Sequence, residues 1–183
     1  MTRIFRTVTL ALMLAPAALA QSQVAPETHP VGDIPDSQAF VRYVNTVGGY
    51  SLEVPEGWAR TVQGANVSFT SKLGAVEVKE QKQAGVPSVT SVRANELAAL
   101  ATTNPGLRVS LVRAVTLPAG PAVLARFTST SAPNAVTGKR VKLDNDVYVL
   151  AKNGREVMMR FSAPLGSDNV DAWKQMADSF QWR

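Results

Sequence analysis

Two runs rich in apolar residues, Val141–Ala151 and Glu156–Ala163, are separated only by Lys152-Asn153-Gly154-Arg155. Asn-Gly between two such runs is the strongest short hairpin signal, because both turn residues must adopt positive φ and these two tolerate it best. An antiparallel pair is therefore expected there, and the rest of the chain has to fold around it. Phe40–Asn45 and Tyr50–Val54 flank Gly48-Gly49 and predict a second hairpin, which Pro55 ends because it has no N–H for the ladder. Asn66–Thr70 and Ala75–Glu80 read as short strands whose Val67, Phe69, Val76 and Val78 share one face. Leu107–Leu117 and Ala122–Thr130 read as strands joined by Pro118-Ala119-Gly120-Pro121, with a polar loop from Ser131 to Gly138 after them.

The period changes twice. Between Pro87 and Thr103, Val89, Val92, Leu97, Leu100 and Ala101 recur at three- and four-residue spacings, which predicts one amphipathic helix. Ser88 or Thr90 is placed to cap it, and Asn104-Pro105-Gly106 stops it. Near the C-terminus, Val170, Trp173, Met176, Ala177 and Phe180 form a second apolar stripe, with Ser167 as its expected N-cap. Asp168 and Asp171 fall in that first turn, where the helix dipole favours negative charge. No internal repeat or interior linker divides the chain. The expected fold class is α+β: a single domain over residues 38–183, with an antiparallel sheet of about six to eight strands covered on one face by two helices.

The first twenty residues have the layout of a cleavable export signal. Arg3 and Arg6 precede the apolar run Val8–Leu14, and Ala18-Leu19-Ala20 places small residues at −3 and −1 of a cleavage site after Ala20. The apolar stretch is too short for the roughly 20 residues a membrane-spanning helix needs. No cysteine follows for lipid attachment, and no transmembrane span is expected after cleavage. The expected location is periplasmic or secreted. Residues 21–37 hold three prolines and no periodicity, and read as a flexible tether that includes His29, the only histidine.

Charge and residue types then narrow the function. Removing Arg3 and Arg6 leaves seventeen basic against fourteen acidic residues, a net charge of +3. That is mild for a protein whose affinity would come from neutralising phosphates, so no nucleic-acid partner is expected. With no cysteine, stability must come from an ordinary core. There is no Gly-x-Ser-x-Gly elbow, no Ser-x-x-Lys motif and no Gly-rich phosphate loop. Asp144-Asn145-Asp146 is the one dense oxygen cluster; it lacks the spacing of a calcium loop and reads as a polar turn or bulge. The sequence nominates no catalytic residue, no metal ligand and no cofactor, and the chain is read as a non-enzyme.

Basic residues crowd the C-terminal half: Arg108, Arg113, Arg126, Lys139, Arg140, Lys142, Arg155 and Arg160. Projected from one sheet face they would form a patch for an acidic partner or an anionic membrane surface. The competing reading is the solvated face of an antiparallel sheet. Trp173 is expected in the core, and Trp58 at a sheet edge or lining a pocket. Trp182 is a candidate contact residue, since aromatic anchors dominate interfaces. The candidate ligand or partner contacts are therefore Trp58, Arg126, Arg140, Lys142, Arg155, Arg160 and Trp182.

Tyr50-Ser51-Leu52-Glu53-Val54-Pro55-Glu56-Gly57-Trp58 resembles the Tyr-x-hydrophobic-x-hydrophobic-Pro-x-Gly-Trp opening of PsbP-like and Mog1-like domains. The closing Ala177-Asp178-Ser179-Phe180 is similar to that family's final helix. The resemblance implies an antiparallel sheet sandwiched or backed by helices, no catalytic residues, and a scaffold used for binding. The members' partner-binding charges have no matching motif here. The leading expectation is a non-catalytic exported module that binds or assembles with another envelope or secreted protein. The second is a carrier or sensor of a small apolar or anionic ligand, held between the sheet and the Ser88–Thr103 helix, with Trp58, Phe69 and one or two arginines lining the pocket. A hydrolase with a buried Ser–Lys or carboxylate pair is the third. The oligomeric state has no sequence signal.

Overall fold

The structure, a computed structural model, describes residues 30–82 and 85–183. The expected export signal and the first part of the expected tether, His29 included, lie outside the described residues. The expected hairpin is there: β8 (Lys142–Lys152) and β9 (Arg155–Pro164) pair in antiparallel register with Lys152 opposite Arg155. Asn153 and Gly154 between them have φ of 54° and 74°, the left-handed pair that a two-residue turn of this twist requires.

Around this hairpin a seven-stranded antiparallel sheet is ordered β3-β4-β5-β9-β8-β7-β6. Its other strands are β3 (Ala59–Gln63), β4 (Asn66–Ser71), β5 (Gly74–Lys82), β6 (Arg108–Leu117) and β7 (Gly120–Thr130). A second sheet holds β1 (Phe40–Asn45), β2 (Tyr50–Pro55) and the short β10 (Gln181–Trp182), with β2 in the middle. Strand β3 has no counterpart in the sequence reading. All five of its residues are exposed, so no apolar alternation marks it.

The expected helix is two: α1 (Val89–Ala94) and α2 (Glu96–Thr103), which break at Asn95. Ser88 rather than Thr90 caps α1, with a capping box in which the Ser91 amide donates to Ser88 Oγ (3.0 Å) and the Ser88 amide to Ser91 Oγ (2.8 Å). The closing helix α3 (Val170–Asp178) starts behind Asn169, not Ser167. Ser167 Oγ instead donates to the carbonyls of Pro164 (2.6 Å) and Val31 (3.0 Å).

The helices do not share a face. α1 and α2 bury Val92, Leu97 and Leu100 against Val123, Ala125, Phe127, Val147 and Val149. α3 buries Trp173, Met176 and Ala177 on the other side, where β2, β4, β5 and the alternate residues of β7 to β9 complete the larger core. The reason is legible in retrospect. Ala122–Ala125 and Val147–Leu150 are unbroken apolar runs, and a strand that is apolar at every position needs cover on both faces.

The tether expected through Ser37 does not extend that far. Gly32, Asp33 and Ile34 are buried against the start of α3. Asn169 holds this strap with both ends of its amide: Oδ1 accepts from the Ile34 amide (2.7 Å) and Nδ2 donates to the Gly32 carbonyl (2.9 Å). The Asp168 amide in turn donates to Asp33 Oδ1 (2.8 Å). Asn169 is spent on this long-range clasp, which is why it gives α3 no side-chain cap.

Candidate binding surfaces

The Pro55-Glu56-Gly57 turn, with Gly57 at φ 82°, swings the chain from β2 into β3 and sets Trp58 half-buried between the two sheets. The Glu56 amide donates to the Ala39 carbonyl (2.8 Å) and fixes the turn to the start of β1. Beside Trp58 runs an open groove of about 530 Å³, whose walls include Val41, Tyr43, Val54, Arg60 and Phe69. Tyr43 meets Phe69 edge to face (centroids 5.2 Å apart, 78°), and the Arg60 guanidinium lies 5.5 Å from the Tyr43 ring centre. Burial pushes the Tyr43 hydroxyl above its ordinary range, with the Arg60 charge pulling against it. Among the described residues no carboxylate lines the groove. The two strands beside it, β1 and β3, are each the outermost strand of their sheet, with a strand partner on one side only among the described residues.

Trp58 and Phe69 thus line a groove with arginines, but not under the Ser88–Thr103 helices. Those helices lie on the opposite face of the large sheet.

The structure disperses most of the other nominated residues. Arg126 projects toward the α3 side and forms a two-pronged pair with Asp146 (Nε–Oδ1 2.7 Å, Nη2–Oδ2 2.8 Å). Arg160 projects to the α1–α2 side, donating to Asn145 Oδ1 (3.0 and 2.8 Å), with Glu77 at 3.7 Å and the Phe127 ring 5.8 Å away. Burial lowers its pKa. Arg155 and Trp182 do meet: the guanidinium lies 5.5 Å from the Trp182 ring centre, while Arg155 pairs with Glu80 (2.9 Å) and donates to the Gly48 carbonyl. Trp182 packs edge-on against Phe180, and its indole N–H is buried without an acceptor among the described residues. Arg140 donates to the Ser131 carbonyl (3.0 Å) and Lys142 is exposed. Together with Arg108 and Lys139 they form a separate basic cluster where β6 and β8 begin, and none of the four is in an ion pair among the described residues. One patch from Arg108 to Arg160 is therefore not what the fold builds.

Asp144-Asn145-Asp146 is strand, not a turn or bulge. Asp146 takes Arg126 on one face, Asn145 takes Arg160 on the other, and Asp144 accepts from the Gly166 amide (2.9 Å). Among the described residues no three acidic or histidine side chains converge on a metal site.

One constellation has no counterpart in the sequence reading. Glu156 on β9 is wholly buried beneath α2, where Gln81 Nε2 donates to its Oε1 (2.8 Å) and the Glu96 carboxyl joins it by a hydrogen bond. Desolvation raises the Glu96 pKa, and the Glu156 charge adds to the rise. Two carboxyls in direct contact leave no room for the substrate that paired glycosidase carboxylates, roughly 5 Å or more apart, hold between them. The signal was positional: Glu156 shares its face with Met158 and Arg160, the side that α1 and α2 cover.

With the geometry in hand, comparison with solved structures is decisive for the fold. The cyanobacterial PsbP protein CyanoP from Synechocystis superposes with a TM-score of 0.59 over 80% of this chain and 94% of its own, at 17% identity. The Ran-binding protein Mog1p from Saccharomyces cerevisiae superposes with a TM-score of 0.53 over 80% and 96%, at 10% identity. The chain has the PsbP/Mog1-like fold. No family model matches it, and no curated protein sequence does. At these identities the PsbP/Mog1-like likeness is one of architecture, and function has to be argued from surfaces. No helix among the described residues is long and apolar enough to cross a membrane.

Proposed function

We propose that this chain is a non-catalytic binding module, exported after cleavage at Ala20, that holds another envelope or secreted protein in the groove beside Trp58. The groove is the observation that carries the reading. It combines a half-buried indole, an aromatic pair and an arginine, Arg60, that has no carboxylate partner among the described residues, between the outermost strands of the two sheets. Aromatic and arginine side chains are the residue types that anchor interfaces, and an open strand edge is a ready template for an extended segment. The solved proteins of this fold include one described as Ran-binding, which fits a scaffold used for protein recognition.

The test is a photo-crosslinking residue at Val44, a groove-lining position that is 39% exposed, introduced into the chain in intact cells. One dominant protein adduct, lost with Arg60→Glu and retained with Lys152→Glu, supports the reading. A chain that gives no adduct and runs as a free monomer overturns it.

The same groove favours a second reading, a carrier of a small anionic or apolar ligand, because Arg60 is a cation beside an aromatic wall. Native mass spectrometry of protein purified from its own cells separates the two. A bound small molecule released by Arg60→Glu selects the carrier.

A further inference from the structure

A cleft of about 500 Å³ opens where α2 lies over the large sheet, on the face away from the Trp58 groove. Its walls include Ala99 and Leu100 of α2, Met158 of β9, and Lys79 and Gln81 of β5. Glu96, the first residue of α2, lines it as well and is only 7% exposed. A cleft of this size that joins an apolar wall to a few polar groups is the usual form of a small-molecule site.

Strand register sorts the charges along the floor. Gln81 lies opposite Glu156, Lys79 opposite Met158, and Glu77 opposite Arg160, all on one face and each pair about 7 Å from the next. The acid end comes first: Gln81 Nε2 holds Glu156 Oε1 (2.8 Å), and the Glu96 carboxyl meets Glu156 from α2. Lys79 follows, exposed and in no ion pair among the described residues. Beyond it Glu77 and Arg160 pair with one another at 3.7 Å. The remaining polar side chains of α2 turn back on their own helix. Thr102 Oγ1 donates to the Ala99 carbonyl (2.7 Å) and Thr103 Oγ1 to that of Leu100 (3.3 Å). Glu96 and Lys79 therefore set the chemistry of the cleft.

We propose that this cleft binds a small amino acid with an apolar side chain. Its ammonium meets the Glu96 carboxyl, its carboxylate meets Lys79, and its side chain lies on Leu100 and Met158. Burial and the Glu156 charge both disfavour ionised Glu96, and a cation placed against it offsets the two. A plain amine would leave Lys79 beside a second cation, and a plain carboxylate would find no partner at the Glu96 end. A zwitterion satisfies both ends while the apolar wall takes its side chain.

The test titrates the full chain with L-leucine and follows its amide and methyl resonances by NMR. The Ala99 and Leu100 amides and the Met158 methyl are expected to shift. Two probes each remove one charge from leucine: 3-methylbutylamine lacks only the carboxylate, and 4-methylpentanoate lacks only the ammonium. Each should bind roughly tenfold or more weakly. Glu96→Gln keeps the size of the side chain and removes a buried acid, so it should fold at least as stably as the parent. It should weaken leucine binding by a similar factor, and so should Lys79→Gln. Glu53→Gln, in the small sheet, should leave binding unchanged. The inference is overturned if leucine causes no shifts at the cleft, or if either one-charge probe binds as well as leucine. Leucine binding that survives Glu96→Gln or Lys79→Gln at full strength overturns it too.

Discussion

Beneath the first turn of α2 the carboxyl groups of Glu96 and Glu156 are hydrogen-bonded to one another, with Glu156 fully buried and Glu96 7% exposed. Burial and the neighbouring Glu156 charge both disfavour the ionised form of Glu96. The Glu96 pKa is raised in the folded state above its ordinary 4.5. Its contribution to stability is therefore complete below that ordinary value and is lost as pH rises through the raised one. Thermal unfolding between pH 4.5 and 8 should show the chain gaining stability on acidification from neutral pH. Glu96→Gln should flatten that slope and raise stability at pH 7 by about 1 kcal/mol, or roughly 3 °C in Tm. A variant whose pH profile matches the parent's would show that Glu96 does not carry the pH dependence.

Arg126 covers a carboxylate that is almost sealed from water, since the Asp146 side chain is only 3% exposed. Arg126→Ala leaves that charge buried and unpaired. A loss of about 2 kcal/mol is expected, below the usual range for fully buried pairs because the Arg126 side chain is itself 42% exposed. Replacing both residues, Arg126→Met with Asp146→Leu, should recover most of it. Urea unfolding measures both, and a double variant no better than Arg126→Ala would contradict the account.

The Asn169 clasp sets the stability of the strap. Asn169→Ala removes the partners of the Ile34 amide and the Gly32 carbonyl, a cost of about 2 kcal/mol. Gly32→Ala strains the same place from the other side: at φ +99° an added Cβ would meet Pro164 Cδ and Ser167 Oγ at 2.5 Å. Both variants should speed hydrogen exchange at Ile34 and protease cutting near residue 35 while leaving amides in β8 protected. Uniform loss of protection would mean that the strap and the core unfold together.

Trp173 stacks on Phe161 with ring centres 6.3 Å apart and is 5% exposed. Trp173→Ala should cost roughly 3–5 kcal/mol by calorimetry or urea unfolding. Val170→Ala, half exposed on the same helix, should cost less than about 0.5 kcal/mol. Similar losses for the two would mean that α3 is seated differently.

What could be read in advance followed local chemistry. Asn153-Gly154 dictated its turn, and the Ser88 cap and the Trp173, Met176, Ala177 stripe each needed only their immediate neighbours. What escaped depended on partners far along the chain. Asn169 reads as an ordinary helix start until Gly32 and Ile34 arrive from 137 and 135 residues away. Whether Arg126 and Arg160 share a face could not be read, because it depends on strand register: Arg126 lies opposite Asp146 and Asp146 opposite Phe161, so Arg160, one residue on, faces the other way. Strand β3 escaped because it is exposed on both sides, and a two-residue period exists only where one face is buried. Of the nominated contacts, Trp58 could be placed because its Pro-x-Gly turn is local. Its groove could not, because the opposite wall is Tyr43 and Phe69 from two other strands.

The small sheet has a consequence for the order in which the molecule is assembled. Gln181 pairs with Ser51, 130 residues earlier, whereas the β8–β9 turn closes over two residues. Closing the longer loop carries an entropy cost of about 4 kcal/mol that the hairpin avoids. Pairings between neighbours, from β6 through β9, can therefore form early, while β2 remains one-sided until the last strand reaches it. Until residues 180–183 are free to reach β2, the small sheet stays incomplete however early the large one forms.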